Sequence, residues 1–303
     1  METPATENIS NNATSASLSA TEPVQPPETQ YVLHRRFDRM GRLVGDSVMS
    51  KLFNSHVMVI GLGGVGSWAA ESLARSGVGK ITVIDFDEVC ITNANRQLHA
   101  LQGLVGKKKA EVMGERLRKI NPQATIQVIP EFYNEENSEM MLSHNPDFIV
   151  DAIDNMTAKC HLLATCRAKG IKVITSGGSA AKMDPTRIKI TDLGKTFGDP
   201  MAASVRKILR QKHGFTDNKN FGIPCVFSDE TPRLPEELKY DNGNGFKCVC
   251  PQKSALHGCD NRNVIHGTAS FVTGSFGLFM ASYVVNQIYA SVKTQNQLTP
   301  EVQ

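Results

Sequence analysis

A glycine-rich turn between two apolar segments constrains the fold of this chain more than any other feature. The sequence predicts a buried strand at His56–Ile60, followed at once by the turn Gly-Leu-Gly-Gly-Val-Gly at 61–66. A helical pattern occupies 67–76, and 80–85 is predicted to be a second strand that ends at an aspartate. Such a turn lets backbone N–H groups and the positive end of a helix approach phosphate, so it is typical of a βαβ nucleotide site.

The alternation of strands and helices continues beyond this unit. Helical patterns occupy 35–52, 107–120 and 155–169, and strand patterns occupy 124–130, 147–152 and 171–175. We therefore expect an α/β, Rossmann-like, doubly wound fold with a mainly parallel sheet. Residues 186–191 alternate between apolar and polar side chains, which predicts an antiparallel extension of that sheet.

Composition and the pattern of predicted strands and helices divide the chain into three parts. Residues 1–30 are rich in Ser, Thr, Asn and Pro, and we expect them to be disordered because they have almost nothing apolar to bury. Residues 31–180 are expected to form the nucleotide-binding domain, and residues 181–293 a region for substrate and subunit contacts. Within that region, 214–262 is rich in Gly, Pro, Asn and Asp and is expected to be a long irregular loop.

The C-terminal part contains a long stretch without charge. No Asp, Glu, Lys or Arg lies between Arg262 and Lys293, and a helix of about 20 apolar residues would span a bilayer. Small residues on one helical face would instead allow close packing of backbones; they are Ser270, Gly274, Gly277 and Ala281. We expect a buried helix of the core or of a dimer interface, with a membrane-associated helix near 268–292 as the alternative.

Bulk composition favours a soluble cytoplasmic protein. The net charge of +3 is too small to indicate nucleic-acid binding by itself. Seven cysteines are scattered over the 303 residues, and this odd number favours free thiols in a reducing compartment over a disulfide framework. The N-terminal segment has no basic region followed by an apolar one, so no secretory signal is predicted.

The charged residues after the second strand favour ATP over NAD as the ligand. Asp85 ends that strand, where a carboxylate can bind ribose hydroxyls. Arg96 and Lys109 follow, and two cations suit a triphosphate better than the diphosphate of NAD, which backbone amides largely neutralise. Asp154 follows a further strand, at the sheet edge where ligands bind, and its carboxylate suits Mg²⁺.

Five motifs in this order and spacing resemble a superfamily of adenylating enzymes. They are Gly-x-Gly-Gly-x-Gly from Gly61, Asp-x-Asp-x-Val from Asp85, Asn-x-x-Arg-Gln from Asn93, Gly-x-x-Lys-x-Glu from Gly106 and Asp-x-x-Asp-Asn from Asp151. Over about residues 31–180 the chain resembles the ubiquitin-activating-enzyme-like, or ThiF, superfamily, whose members activate ubiquitin-like proteins and sulfur carriers. The resemblance implies ATP-dependent activation of a carboxylate as an acyl-adenylate.

The resemblance also implies roles for particular residues. Asp85 would bind the ribose hydroxyls, while Arg96 and Lys109 would bind the triphosphate and the forming pyrophosphate. Asn93 would help to position the triphosphate, and Asp154 would bind Mg²⁺. The nucleotide-binding set implied in this way is Gly61, Gly63, Gly64, Gly66, Asp85, Asp87, Asn93, Arg96, Lys109 and Asp154.

Arg39 resembles an arginine that reaches the phosphates bound by the partner subunit in this superfamily. It lies in the segment Arg-Phe-Asp-Arg at 36–39. The resemblance therefore implies a homodimer. The catalytic set that it implies is Arg39, Arg96, Lys109 and Asp154.

A narrower resemblance extends over most of the chain. Segments 63–71, 95–100, 184–200 and 225–228 are similar to the tRNA threonylcarbamoyladenosine dehydratases. These enzymes activate the threonyl carboxylate of a modified adenosine beside the anticodon, and ring closure follows with net loss of water. The resemblance implies an enzyme of the ligase class whose substrate is tRNA carrying threonylcarbamoyladenosine.

Two other functions stay open on the sequence. One is adenylation of the C-terminal glycine of a ubiquitin-like or sulfur-carrier protein; a sulfur-transfer or cysteine desulfurase-type protein is a further partner to consider. The other is an NAD-dependent oxidoreductase or an inactive nucleotide-binding scaffold. The first usually brings two CxxC pairs for zinc, which this chain lacks, and Arg96 and Lys109 argue against the second.

Cysteines in the expected loop form a weak metal pattern. Cys248 and Cys250 form a CxC, and Cys259 follows at a distance. Structural zinc sites need four ligands, so we do not expect zinc here. A catalytic thiol at Cys259 is the alternative to an ordinary loop thiol.

A basic run at 206–213 lies in a predicted helix at 201–213. Contacts from Lys and Arg to phosphates give affinity for nucleic acid without sequence recognition. The run would therefore bind the tRNA backbone or simply form a solvated helix face, and both interpretations stay open.

Overall fold

Strands and helices alternate in the computed structural model, which describes residues 32–216, 220–236, 238 and 265–298. The strands of these residues are β1 (His56–Ile60), β2 (Lys80–Ile84), β3 (Thr125–Ile129), β4 (Phe148–Asp151), β5 (Val173–Ser176), β6 (Ile188–Asp192) and β7 (Pro224–Ser228). The helices are α1 (Asp38–Val44), α2 (Asp46–Phe53), α3 (Gly66–Arg75), α4 (Lys109–Ile120), α5 (Ser138–Leu142), α6 (Met156–Lys169), α7 (Pro200–Lys212) and α8 (Ser270–Leu298). The predicted disorder of 1–30 lies outside the described residues.

The strands form one sheet in the order β3-β2-β1-β4-β5-β7-β6. Every neighbouring pair is parallel except β6 and β7, which are antiparallel. This confirms the predicted α/β, Rossmann-like fold with a mainly parallel sheet and an antiparallel extension. β1 pairs with β2 on one side and with β4 on the other, so the strand order reverses there. Doubly wound sheets bind ligands beside such a switch point, at the carboxyl ends of the strands.

One strand lies where composition predicted a loop. β7 falls inside the 214–262 segment and pairs with β5 on one side and β6 on the other. Its residues Cys225, Val226 and Phe227 are fully buried. The prediction of a continuous loop was wrong at these positions. The burial of three apolar side chains stabilises a strand despite the Gly, Pro and Asn residues around it. An inner strand also shows no alternation of apolar and polar residues that would mark it in the sequence.

The first predicted helix, 35–52, is divided in two. Gly45 separates α1 from α2 with a φ of +86°. Residues with a side chain rarely adopt this backbone conformation, so the glycine permits the break. The division leaves α2 free to bury Val48, Met49 and Leu52.

The C-terminal helix α8 packs closely against α3. A Cβ atom on Gly277 would lie 2.3 Å from the Val65 carbonyl oxygen, and one on Gly274 would lie 3.2 Å from the ring of Trp68. This confirms that the small residues serve close packing. Ser270–Gln295 is long and apolar enough to cross a membrane, but half of its most apolar window is buried inside the protein. The prediction of a buried helix is therefore confirmed.

The cysteines divide between the described and the undescribed parts of the chain. Cys248, Cys250 and Cys259 lie outside the described residues, so the zinc and thiol hypotheses stay predictions. The described cysteines, Cys90, Cys160, Cys166 and Cys225, are buried. Burial raises the pKa of Cys166 and of Cys225 to about 12, which makes both thiols poor nucleophiles at neutral pH.

Candidate active site

A cleft of about 360 Å³ opens at the carboxyl ends of β1, β2, β4 and β5. It lies beside the β1 switch point, where a doubly wound sheet is expected to bind its ligand. Its lining combines backbone turns and polar side chains with the aromatic residues Phe86, Phe132 and Tyr133. The rings of Phe86 and Phe132 meet edge to face with their centroids 5.0 Å apart. Apolar walls with a few converging polar groups are typical of a ligand site.

The glycine turn forms one wall of this cleft. Gly61 has a φ of +87°, and a Cβ atom on Gly66 would lie 1.8 Å from the Gly61 carbonyl oxygen. These two glycines are therefore required by the turn itself. Gly63 and Gly64 line the cleft, and around Gly63 the space for a Cβ atom is open. The missing side chains leave the backbone accessible to a phosphate, directly before α3 begins.

Asp85 joins the end of β2 to the glycine turn. Its carboxylate accepts hydrogen bonds from the Leu62 N–H at 2.6 Å and the Asp87 N–H at 2.9 Å. Burial raises the pKa of Asp85, and the charge of nearby Lys109 opposes that rise. A carboxylate has about four lone-pair sites, so Asp85 can hold the turn and still accept hydrogen bonds from ribose hydroxyls.

Lys109 is the first residue of α4 and is only 5% exposed. Its Nζ donates to Asp87 Oδ2 at 2.8 Å. Burial alone would lower the pKa of Lys109, but the carboxylates of Asp85 and Asp87 raise it above its ordinary value. The ammonium group is therefore charged at neutral pH and is held at the wall of the cleft.

Arg96 is fixed through both its backbone and its side chain. The indole N–H of Trp68 donates to the Arg96 carbonyl oxygen at 3.0 Å. The Arg96 guanidinium donates to the Thr92 carbonyl oxygen and to Asn95 Oδ1, both at 2.9 Å. The residue is half-buried and lines the cleft. The structure thus places a second cation in the cleft that holds Lys109.

Asn93 shapes the turn that carries Arg96. Its side chain is buried, and its Oδ1 accepts a hydrogen bond from the Cys90 N–H at 3.1 Å. Its carbonyl oxygen accepts from the N–H groups of Arg96 and Gln97, at 3.1 Å and 2.9 Å. Asn93 also lines the cleft. The residue that stabilises the turn therefore also faces the space where a ligand would bind.

Asp154 follows β4 and is exposed at the cleft. Three residues before it, Asp151 is fully buried and accepts hydrogen bonds from Lys159 Nζ at 2.7 Å and Thr175 Oγ1 at 2.6 Å. This buried network fixes the end of the strand that leads to Asp154. Among the described residues no group of three or more His, Cys, Asp or Glu could hold a metal by itself. A cation at Asp154 would need its other ligands from phosphates and water, an arrangement that is common for Mg²⁺.

A second buried ion pair shapes the segment 177–180 at the cleft. Lys182 Nζ lies 3.0 Å from Asp199 Oδ2 and donates to the Gly178 carbonyl oxygen at 2.7 Å. Asp199 accepts from the Gly178 N–H at 3.0 Å and from the Ala202 N–H at 2.9 Å, which caps α7. Neither charged side chain is more than 1% exposed. The motifs do not mark this pair, because its members meet only after the chain has folded.

Two polar atoms of the cleft wall have no hydrogen-bond partner among the described residues. They are Gln97 Oε1 and Thr273 Oγ1, both buried, and both residues line the cleft. A buried polar atom without a partner often marks a functional position or an ordered water. Gln97 belongs to the Asn-x-x-Arg-Gln motif, but the sequence predicts a role only for the asparagine and the arginine of that motif. Nothing local in the sequence marks Thr273, which reaches the cleft because α8 packs there.

Arg39 is not part of this cleft. It is exposed on α1, and no residue of α1 or α2 lines the cavity. Within one chain the structure brings together Asp85, Arg96, Lys109 and Asp154, but not Arg39.

Known proteins resemble this chain over most of its length. The model of the ThiF family matches residues 37–301. A Haemophilus influenzae protein named tRNA threonylcarbamoyladenosine dehydratase is 41% identical, over 84% of this chain and 93% of its own length. Its Bacillus subtilis counterpart of the same name is 39% identical, over 86% and 97%. The crystal structure of Escherichia coli tRNA N6-threonylcarbamoyladenosine dehydratase in complex with ATP has a TM-score of 0.74 and 38% identity, covering 86% of this chain and 96% of that one.

Proposed function

Since the chain belongs to the ThiF family and, within it, to the tRNA threonylcarbamoyladenosine dehydratases, we propose that it catalyses the ATP-dependent dehydration of N6-threonylcarbamoyladenosine in tRNA to the cyclic form. The observation that carries the proposal is a single cleft in which Asp85, Arg96 and Lys109 surround a glycine turn. Adenylation of a ubiquitin-like or sulfur-carrier protein is the weaker alternative, because the similarity to the dehydratases continues well beyond residue 180.

The proposed reaction activates a carboxylate, which is a poor electrophile. A carboxylate oxygen of the threonyl group attacks the α-phosphorus of ATP, and the bond to pyrophosphate breaks as the new O–P bond forms. A nucleophile of the same nucleoside side chain then attacks the acyl carbon, the ring closes, and AMP leaves with the carboxylate oxygen. The elements of water thus pass from the nucleoside to AMP and pyrophosphate. Because the second nucleophile is intramolecular, no catalytic cysteine is needed.

The residues of the cleft suit these steps. Asp85 binds the ribose hydroxyls of ATP, with Asp87 holding Lys109 in place. Arg96 and Lys109 bind the triphosphate and stabilise the charge that develops on pyrophosphate as it leaves. Asn93 positions this group, and the open backbone of the glycine turn contacts phosphate oxygens.

The proposed function is tested by mixing the purified chain with ATP, Mg²⁺ and one of two tRNA preparations. Threonylcarbamoylated tRNA is expected to give AMP and a nucleoside lighter by one water in mass spectrometry, whereas hypomodified tRNA should give neither. A chain that releases AMP with both preparations, or with a ubiquitin-like protein instead, would contradict the proposal.

We assign Mg²⁺ to Asp154. The Asp154 carboxylate is exposed at the cleft, which suits an ion that takes its other ligands from phosphates and water. When bound, the ion would neutralise phosphate charge during the displacement. Asp154 would hold it at the carboxyl end of β4, which the buried Asp151–Lys159 pair keeps in place.

Asp154→Asn is expected to reduce AMP formation by about a hundredfold, because it removes the charge that holds the cation while preserving the size of the side chain. Raising the Mg²⁺ concentration should recover part of the activity. Titration of the rate against Mg²⁺ measures both effects, and an unchanged melting temperature would show that the fold is intact. A variant with the wild-type magnesium dependence would refute this assignment.

A homodimer would supply Arg39, which the single chain does not bring to its own cleft. Near Arg39, an apolar groove is lined by Met40, Leu43, Leu278 and Tyr289 of α1 and α8. Leu43 is 76% exposed and Leu278 46% exposed. An exposed apolar surface of this kind commonly marks a protein–protein contact, and this supports the proposed dimer.

Arg39→Ala and Arg96→Ala are each expected to be nearly inactive, but a mixture of the two should recover part of the activity. The reason is that a mixed dimer keeps one cleft with both arginines intact. Subunit exchange must first be demonstrated with differently tagged chains. If the subunits exchange and the mixture stays as inactive as each variant alone, Arg39 does not act across the dimer.

We further propose that residues 31–180 bind ATP and that residues 181–293 contact tRNA. In the basic run of α7, Arg206 and Arg210 are engaged within the protein, by a hydrogen bond and by stacking on a phenylalanine ring. Lys207 is exposed and available to phosphates. The salt dependence of tRNA binding would measure this electrostatic contribution.

We infer a soluble cytoplasmic enzyme, since half of the most apolar window of α8 is buried in the protein. Partition between the soluble and membrane fractions tests this inference. A sulfur-transfer or cysteine desulfurase-type partner is a separate hypothesis, which titration of the purified chain with such a protein would test.

A further inference from the structure

Trp68 is the single tryptophan of the chain and contacts the segment that carries Arg96. It is the third residue of α3, directly after the glycine turn. Its indole N–H donates to the Arg96 carbonyl oxygen at 3.0 Å. One rigid side chain therefore connects the start of the phosphate-binding helix to the backbone of the proposed triphosphate arginine.

Helix α8 holds the same indole ring from another side. A Cβ atom on Gly274 would lie 3.2 Å from two carbons of the Trp68 ring, and one on Gly277 would lie 2.9 Å from Trp68 Cβ. A methyl group at Gly274 would force the ring to move by a few tenths of an ångström, so glycine at this position permits the close approach of α8. The position of the indole is thus set by a helix that lies about 200 residues away in the sequence.

A second contact joins the Arg96 segment to the same end of α8. The side-chain amide of Asn95 donates to the Thr268 carbonyl oxygen at 2.9 Å, just before α8 begins. Asn95 Oδ1 in turn accepts from the Arg96 guanidinium at 2.9 Å. The backbone of Arg96 is therefore linked to α8 through Trp68, and its side chain is linked through Asn95 to Thr268, just before α8.

This attachment matters because Arg96 is proposed to stabilise the charge that develops on pyrophosphate during nucleotidyl transfer, in addition to binding the triphosphate. The arginine side chain is long, so its reach depends on where its backbone is held. A displacement of about 1 Å at a catalytic group can reduce a rate by about a hundredfold. A hydrogen bond from a rigid ring that is itself clamped by a helix limits such a displacement.

We propose that Trp68 is a positioning residue, held by α8, that sets the place of Arg96 for the transfer of the nucleotidyl group. Its role in turnover rests on the proposed function. The link of Trp68 to bound nucleotide does not depend on the tRNA substrate, because Arg96 lines the cleft beside the glycine turn and would face the phosphates of any ATP bound there. The tryptophan emission of the chain comes from this one indole, so it reports directly on the position next to Arg96.

Trp68→Phe keeps an aromatic ring but loses the N–H donor, and Gly274→Ala pushes a methyl group toward the ring. The phenylalanine variant is expected to lower kcat for AMP formation by about tenfold to a hundredfold, with the Kd for ATP changed by less than about threefold. The alanine variant should show a smaller loss of the same kind. Phe279→Leu is the matched control, because Phe279 is exposed on the same helix and lines neither the cleft nor the apolar groove near Arg39. This variant should keep the wild-type kcat.

Fluorescence gives a readout that does not require tRNA. ATP with Mg²⁺ should shift the emission of the wild-type chain, and the shift should be absent in Arg96→Ala at nucleotide concentrations that still saturate this variant. An equal shift in both proteins, or no shift in the wild type, overturns the link between Trp68 and Arg96. A kcat within twofold of wild type in Trp68→Phe, or a loss matched by an equal loss of ATP affinity and folding stability, overturns the positioning role. If the wild-type chain shifts its emission but releases no AMP with threonylcarbamoylated tRNA, the proposed function fails while the link to Arg96 stands.

Discussion

Lys109→Met is expected to reduce AMP formation by about a hundred- to a thousandfold. This is the loss typically seen when one preorganised hydrogen-bond donor that stabilises charge in the transition state is removed. Methionine preserves most of the length and volume of the side chain. It removes the ammonium group that lies between the Asp87 carboxylate and the cleft. The rate of pyrophosphate release with saturating ATP and modified tRNA measures the effect.

Lys107→Met provides the matched control, because Lys107 is exposed two residues earlier and does not line the cleft. This variant should keep its rate within about twofold of wild type, as expected of a surface substitution. The melting temperature of Lys109→Met also needs to be measured, since the change leaves Asp85 and Asp87 without a buried cation. A Lys109→Met protein that is folded and fully active would show that the phosphates lie elsewhere.

Lys159→Met is expected to have the largest effect on stability, a loss of about 3–5 kcal/mol in the free energy of unfolding. The substitution leaves the fully buried Asp151 carboxylate without its cation. Such a loss would lower the melting temperature by roughly 10 °C. Urea denaturation followed by circular dichroism gives the free energy directly.

The double variant Asp151→Asn with Lys159→Met should recover part of that loss, because no unpaired charge is then buried. Lys169→Met is the surface control. Lys169 pairs with the exposed Glu139 at 2.7 Å, and such a pair contributes about 1 kcal/mol or less. A Lys159→Met protein as stable as the Lys169→Met protein would contradict the importance of the buried pair.

The part of the site that the sequence predicts is the part built from neighbouring segments. The glycine turn, Asp85 and Lys109 all lie within one βαβ unit and the helix after it, where spacing along the chain determines proximity in space. The strand alternation likewise predicts the parallel sheet, because the period of apolar residues is a local property. The prediction for α8 succeeded for the same reason, since the small residues of its packing face recur at helical spacing.

The missed features depend on contacts between distant segments. β7 is a short apolar run inside a polar context, and only its pairing with β5 and β6 makes it a strand. The pair of Lys182 with Asp199 resembles two surface charges in the sequence, yet both are buried. Thr273 enters the cleft only because α8 crosses α3 at glycines. The members of each contact lie at least 17 residues apart in the sequence, so a local pattern does not relate them.

The position of β7 has a consequence for synthesis and handling of the chain. Among the described strands, β6 precedes β7 in the sequence but pairs only with β7, so five strands can form a sheet before the outer two are able to join. Until β7 emerges, β5 is an open border of that sheet, and Thr175 and Ser176 lack the strand with which they pair in the folded protein, next to the apolar residues Val173 and Ile174. Exposed borders of this kind recruit other strands and lead to aggregation. Fragments that end before residue 224 should therefore precipitate, even though they contain the whole glycine turn and its cations. Expression of a shortened nucleotide-binding domain would need a solubilising fusion partner.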